Sequence, residues 1–179
     1  LAPGEAQCGG LDGQGDLGGT DTPGCERGGI EVDAHHGLIN KFQGDAALAV
    51  FGAPLRVDEP ATAALSTARV LADELRSLPL DFGIGVSAGR AIAGHIGAQA
   101  RFEYTVIGDP VNEAARLTEL AKLEEGHVLA SAVAVSGALD AEALCWDVGE
   151  IVELRGRTAP TQLARPVNLV RADEVDLTR

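Results

Sequence analysis

The pattern of apolar and polar positions changes near residue 30. Residues 1–29 contain ten glycines among Asp, Gln, Thr and Pro, without an apolar period of 2 or 3.6 residues. This composition predicts a disordered or weakly ordered segment. Beyond Ile30, apolar runs alternate with turn residues and predict one folded domain over residues 30–179.

The domain is predicted to begin with the end of a helix and a β-hairpin. The helix ends at His35 and His36, and Gly37 is its predicted C-terminal stop. Two apolar runs follow at residues 38–42 and 46–51. The connection Gln43-Gly44-Asp45 between them predicts a tight turn with Asp45 at its tip.

Helical and strand patterns alternate through the rest of the chain. Helical spacing of apolar residues predicts helices at 59–78, 110–122 and 131–137. Strands are predicted at 80–88 and 91–96, joined through Gly89 and Arg90, and at 102–107, 127–130, 151–154 and 163–170. The last two flank the turn Arg155-Gly156-Arg157. This mixed order with hairpins predicts an α+β fold rather than a doubly wound one.

Charge and composition limit the possible partners. The formal net charge is -13, and the sequence pI is about 4.6. Nucleic acid and anionic membrane surfaces would repel such a chain, so a small molecule or a protein is the expected partner. We find no apolar run of about 18 residues and no signal-peptide pattern, and expect no membrane segment and a cytoplasmic location. The spacing of the three cysteines favours neither zinc nor a disulfide framework.

Asn112 and Arg116 are the first candidates for chemistry. They lie four residues apart near the start of a predicted helix, so both project from one face, where backbone N–H groups favour phosphate. An amide and a guanidinium there could hold a ribose and a triphosphate. Taken alone, the two residues are better explained as an ordinary solvated face.

Four sequence blocks place these residues in a wider pattern. They are KFQGD at 41–45 with VFGAP at 50–54, FGIGVSAG at 82–89, AGHIG at 93–97 and FEYTVIGDPVNEAARL at 102–117. Their order resembles the class III nucleotide cyclases over roughly residues 30–170, and most closely the bacterial adenylate cyclases. The resemblance implies a ferredoxin-like class III cyclase domain, a central and mostly antiparallel sheet flanked by helices.

The resemblance also implies a role for each matching residue. Lys41 and Thr105 take the positions that read the base, and this pair indicates ATP, because an ammonium donates to an adenine ring nitrogen. A Glu in place of Lys41 would indicate GTP. Asn112 matches the ribose-positioning Asn, Arg116 the transition-state Arg, and Arg155 the triphosphate-binding Lys of the family, with Arg157 as its neighbour.

Metal binding is the part of the pattern that is incomplete. Asp45 matches a family ligand for Mg²⁺ or Mn²⁺, ions that would stabilise the attacking and leaving oxygens. The family's other metal Asp lies on a first strand that nothing here matches, and we assign its role to none of Asp12, Asp16 and Asp21. The first strand and helix of the domain are therefore expected to be missing or atypical.

Two functions remain open from the sequence. The first is an adenylate cyclase that converts ATP to 3',5'-cyclic AMP and pyrophosphate and is impaired when alone. The second is a catalytically silent homologue that acts as a dimerising or nucleotide-binding partner. In both, the expected partners are ATP and a second cyclase domain, in a homodimer or a heterodimer, because family sites form between two subunits.

Overall fold

The structure, a computed structural model, describes residues 4–14, 23–43, 46–96 and 103–167. The strands are β1 Gly4–Gln14, β2 Leu38–Gln43, β3 Ala46–Phe51, β4 Asp81–Ile96, β5 Glu103–Ile107, β6 Val128–Ser131, β7 Trp146–Val152 and β8 Thr161–Pro166. The helices are α1 Pro23–Ala34, α2 Pro60–Leu75, α3 Asp109–Ala121, α4 Ala132–Ser136 and α5 Asp140–Ala143.

The strands form one sheet in the order β2-β3-β1-β4-β6-β8-β7, and β5 pairs with β4. The pairing of β4 with β6 is parallel, and the other described pairings are antiparallel. Helices cover both faces of the sheet. The predicted α+β class, with a mostly antiparallel sheet flanked by helices, is confirmed. In the described residues, no helix has both the length and the apolar character needed to span a bilayer.

Strand β1 is the largest departure from the sequence-based prediction. Little order was expected before residue 30, yet Gly4–Gln14 pairs on both of its sides, with Cys8 opposite Val50 of β3 and opposite Ser87 of β4. Ladder hydrogen bonds use the backbone, which glycine supplies as well as any residue, so the two flanking strands outweigh weak strand propensity. The first strand and helix are therefore present, and the strand is atypical in its glycine-rich composition.

Strand β4 separates the two halves of the core by the alternation of its side chains. Phe82, Ile84 and Val86 are buried with apolar residues of α2. On the opposite face, a Cβ added to Gly85 would lie 2.4 Å from the carbonyl oxygen of Ala114, and one added to Gly83 would lie 2.4 Å from that of Thr118. The glycines therefore let α3 lie directly on the strand.

The other element boundaries differ only in detail from those predicted. Strand β4 runs without a break, so the predicted connection through Gly89 and Arg90 is wrong. The left-handed residue after α1 is His36, with φ of 58°, and not Gly37. A Cβ on Gly37 would lie 2.6 Å from the Phe51 ring, so its small size is required for close contact. Helix α5 and the start of β7 at Trp146 were not predicted.

Candidate functional site

A β-bulge in β2 brings two candidate strands together. Ile39 lies opposite Ala49 and Lys41 opposite Leu48, so Asn40 is the extra residue. The Asn40 Nδ2 donates a hydrogen bond of 2.9 Å to the carbonyl oxygen of Tyr104 in β5. Lys41 and Thr105, each the next residue on its strand, thereby lie on two strands that are directly bonded.

The Asn40 amide can make this bond in one orientation only, because the Tyr104 carbonyl accepts and does not donate. Its Oδ1 is buried without a hydrogen-bond partner in the described part of the chain. Burial also raises the pKa of Tyr104, which keeps this phenol neutral at physiological pH. The contact between β2 and β5 is therefore a part-buried hydrogen bond between two uncharged groups, an amide and a backbone carbonyl.

Helix α3 carries the second part of the candidate site. Asn112 is exposed, and Arg116 is half-buried one turn later. The Arg116 Nη1 contacts Glu119 Oε1 at 2.6 Å, and its Nε donates to the carbonyl oxygen of Arg155 at 3.3 Å. Arg155 itself is exposed in the turn between β7 and β8. The structure therefore brings Arg116 and the Arg155 turn together.

Next to this contact lies a buried ionic network centred on Arg157. Its Nε and Nη2 bond the two carboxylate oxygens of Asp109 at 3.0 and 2.6 Å, and its Nη1 bonds Glu113 and Thr161. Glu113 also accepts from Thr161 at 2.6 Å and from Ser87. The side chains of Arg157 and Glu113 are each 7% exposed. Each buried charge in the network is therefore paired and hydrogen-bonded.

The network changes the acidity of its exposed member. The hydrogen bond from Arg157 holds the pKa of Asp109 below its usual value, and the same contact raises the pKa of Arg157. Both groups are therefore charged throughout the physiological range. Sequence reasoning did not find this network. Asp109 and Glu113 have the i,i+4 spacing of a cation-binding face, but their partner lies more than forty residues away in the sequence.

The comparisons with known proteins agree with this geometry. The family model for the Adenylate and Guanylate cyclase catalytic domain matches residues 37–164. The chain belongs to this family. Among solved structures, the adenylyl cyclase CyaB from P. aeruginosa is similar to this chain, with 25% sequence identity and a TM-score of 0.76. The match covers 95% of this chain and 97% of that one. The guanylate cyclase domain of RhGC from Catenaria anguillulae, in complex with GTP, is 18% identical with a TM-score of 0.75, over 90% and 94%.

Closer sequence relatives of the cyclase domain are mycobacterial. Uncharacterized protein Rv1318c of Mycobacterium tuberculosis is 56% identical over 143 residues, which is 79% of this chain and 26% of the relative. Uncharacterized protein Mb1354c of Mycobacterium bovis is 58% identical over 139 residues, 76% of this chain and 24% of the relative. The chain thus spans about a quarter of the length of these relatives.

The predicted metal residue of the cyclase domain, Asp45, lies outside the described residues. Within the part of the chain that the structure describes, no group of three or more His, Cys, Asp and Glu side chains could hold a metal ion. The described residues therefore do not by themselves make a cation site.

A cavity of about 400 Å³ opens beside the Arg157 network, lined in part by Arg90, Glu113, Ser131 and Arg157. None of Lys41, Thr105, Asn112, Arg116 and Arg155 lines it. The predicted nucleotide residues thus lie on other surfaces of the cyclase domain, and only the Asp109 and Glu113 side of α3 faces this cavity.

Proposed function

We propose that this cyclase domain converts ATP to 3',5'-cyclic AMP and pyrophosphate. The observation that supports ATP best is the bond between Asn40 and Tyr104, because it joins the strands of Lys41 and Thr105. Both residues are half-buried, so a base placed between them would be partly shielded from water. Donor and acceptor groups in such a place discriminate bases strongly, because the wrong base leaves them unpaired.

The base is read by complementary hydrogen bonds in this proposal. The Lys41 ammonium donates to a ring nitrogen of adenine, which carries a lone pair. The Thr105 hydroxyl accepts from the exocyclic amino group. Guanine carries an N–H at the equivalent ring position and a carbonyl in place of the amino group. Its ring N–H would therefore face the Lys41 ammonium, and two donors cannot form a hydrogen bond.

The reaction itself is an in-line displacement at phosphorus. The 3'-oxygen of the ribose forms a bond to the α-phosphorus, the bond from that phosphorus to the bridging oxygen breaks, and pyrophosphate leaves with both bonding electrons. The proton of the 3'-hydroxyl passes to solvent or to an acceptor bound beside it. Asn112 holds the ribose, Arg116 stabilises charge on the α-phosphate, and Arg155 binds the rest of the triphosphate.

The Arg116 guanidinium is available to bind phosphate because its ion pair with Glu119 is weak. The ion pair with Glu119 links side chains that are 37% and 60% exposed, and such surface pairs contribute about 0–1 kcal/mol. A triphosphate carries more charge than one carboxylate and would displace Glu119. The bond to the Arg155 carbonyl would then keep the Arg116 guanidinium beside the turn that carries Arg155, the second cation for the triphosphate.

Asp45 is the residue that we assign to Mg²⁺ or Mn²⁺. When bound, the ion lowers the cost of deprotonating the 3'-hydroxyl and of releasing pyrophosphate. In this family such sites form between two subunits, so we propose that a second cyclase domain, in a homodimer or a heterodimer, completes the site opposite Lys41, Thr105, Asn112, Arg116 and Arg155. The chain alone is expected to be impaired, because the role of the family's other metal Asp is assigned to none of its residues.

A complementation assay tests this function. The purified chain is incubated with ATP and Mn²⁺, alone and mixed with an intact homologous cyclase domain whose own transition-state Arg is changed to Ala. We expect little cyclic AMP from either protein alone and clear formation from the mixture. Robust turnover by the chain alone would contradict the proposed impairment, and an inactive but verified heterodimer would leave the silent partner as the better account. The matched control is Arg116→Ala, which should abolish complementation.

A further inference from the structure

The turn between β7 and β8 contains two arginines with different surroundings. Arg155 is exposed, whereas the Arg157 side chain is 7% exposed. Gly156 between them has φ of +83°, a value that favours glycine, and the Arg157 amide closes the turn on the Leu154 carbonyl at 3.1 Å. Leu154 is buried in the apolar cluster beneath α3. The turn is therefore a defined structure with one exposed and one buried, engaged cation.

The engaged cation is bound to the helix that carries Asn112 and Arg116. Asp109 and Glu113 lie one helical turn apart on α3, and the fork of Arg157 spans both carboxylates. Because Asp109 and Glu113 both face the Arg157 guanidinium, this cluster has no net positive charge that could attract a substrate phosphate. Arg155, by contrast, is exposed, and within the described part of the chain its side chain forms no ion pair.

The turn is attached to α3 at a second point. The Arg116 Nε donates to the Arg155 carbonyl, so one bond joins the backbone of the turn to the helix, and the Arg157 network joins its far end. Asn112 directly precedes Glu113 on this helix, and Arg116 follows Glu113 by three residues, a spacing that makes the two side chains neighbours on the helix surface. Any movement of Arg157 would therefore change the position of Arg155 relative to Arg116.

We propose that Arg157 is a positioning residue that holds Arg155 beside Arg116 for triphosphate binding and does not itself contact the substrate. This inference rests on the proposed function, in which Arg155 binds the triphosphate. It assigns the two arginines of one turn to different tasks. It also gives Asp109 and Glu113 a role in substrate binding that operates through Arg157 alone.

Inorganic tripolyphosphate and amide hydrogen exchange test the assignment together. We compare the parent chain with Arg155→Gln, Arg157→Gln and the double variant, and measure the tripolyphosphate Kd and the exchange rates of amides 154–157. Arg155→Gln should weaken tripolyphosphate binding about tenfold with unchanged exchange. Arg157→Gln should weaken it several-fold and accelerate exchange in the turn, while exchange in α2 stays unchanged.

The double variant decides between positioning and direct contact. If Arg157 acts only through Arg155, the double variant should bind tripolyphosphate no more weakly than Arg155→Gln. Losses that multiply would show direct phosphate binding by Arg157 and overturn the inference. Unchanged affinity for Arg157→Gln, or unchanged exchange in its turn, would also overturn it. A merely structural role predicts a lower Tm without a change in the Kd of the folded protein.

Two further measurements keep the result interpretable. Arg157→Lys retains the charge without the bidentate fork, and should show the same pattern in a weaker form even if Arg157→Gln does not fold. Failure of the proposed function has a separate signature. A parent chain that binds neither tripolyphosphate nor adenosine would contradict the proposed function, and hydrogen exchange would still show whether Arg157 holds the turn in place. Adenosine affinity should be the same in every variant, since none changes the base-reading strands.

Discussion

Asn40 donates from its Nδ2 to the carbonyl oxygen of Tyr104 at 2.9 Å, across the gap between β2 and β5. The bulge that creates this contact is a single extra residue, and it places Lys41 and Thr105 next to the two bonded positions. Bulges commonly re-aim side chains beside functional sites. This neutral hydrogen bond therefore helps to set the spacing between the proposed base-reading residues, together with the pairing of β2 with β3 and of β5 with β4.

Asn40→Leu removes the donor at almost constant size and leaves the Tyr104 carbonyl without this partner. We expect a loss of about 1–3 kcal/mol in the free energy of unfolding. We also expect a several-fold rise in the KM for ATP and a smaller preference for ATP over GTP in the complemented heterodimer. The matched control is Phe42→Leu, an exposed position on the same strand. Unchanged nucleotide preference in a folded Asn40→Leu would show that the bond does not position the pair.

Gly85→Ala tests how closely α3 lies on β4. The added Cβ would meet the Ala114 carbonyl oxygen and the Thr118 amide nitrogen, each at 2.4 Å, and neither backbone atom can move without moving α3. We expect destabilisation of about 3 kcal/mol, measured by urea denaturation. Gly126→Ala is the control, because its nearest neighbour, Arg76 Nη2, is 4.0 Å away. Equal stability of the two variants would contradict the described contact.

Glu119→Gln tests the competition for Arg116. Removing the carboxylate frees the guanidinium for the substrate without changing its bond to the Arg155 carbonyl. The pair is exposed, so we expect the KM for ATP to fall about twofold to fivefold with kcat nearly unchanged. Asp73→Asn removes a comparable exposed pair with Arg76 and should change neither value. A higher KM in Glu119→Gln would mean that Glu119 positions Arg116 instead of competing for it.

The Arg157 network should give stability a defined dependence on pH. Arg157 lowers the pKa of Asp109, so the stabilisation is complete above the unfolded pKa of about 4 and is lost as the pH falls through the folded value. Because Asp109 is 61% exposed, we expect Asp109→Asn to lower the Tm by only about 2 °C at pH 7. Thermal unfolding of both proteins from pH 7 to pH 2 should show this difference disappearing below pH 4. A difference in Tm that stays constant from pH 7 to pH 2 would show that the charge of Asp109 is not its cause.

Sequence patterns predicted the structure correctly where it depends on residues that are close together in the chain. The β-rich residues of β4 and the helical spacing of α2 and α3 indicated the main elements, and Pro60 and Pro110 lie in the first turns of their helices, where proline is tolerated. Patterns failed where distant partners decide the outcome. The glycine-rich β1 has little strand propensity of its own and pairs because β3 and β4 lie on either side of it.

The candidate site shows the same division. Asn112 and Arg116 became candidates through their spacing together with the family resemblance, whereas the bulge at Asn40 depends on a register that no local pattern encodes. The task of Arg157 depends on two acids of α3, brought to it by the folding of β7 and β8. The sequence identified Arg155 and Arg157 as neighbours, and their different burial could come only from the structure.

The proposed preference for ATP is tested by the ratio of products from an equimolar mixture of ATP and GTP. The chain is paired with a homologous cyclase domain whose transition-state Arg is changed to Ala, so that the only competent site uses Lys41, Thr105 and Arg116 of this chain. With Mn²⁺ present, we predict cyclic AMP in at least about tenfold excess over cyclic GMP, as expected for a site that leaves the wrong base unpaired. Cyclic GMP as the main product, or neither product from a verified heterodimer, would contradict the account.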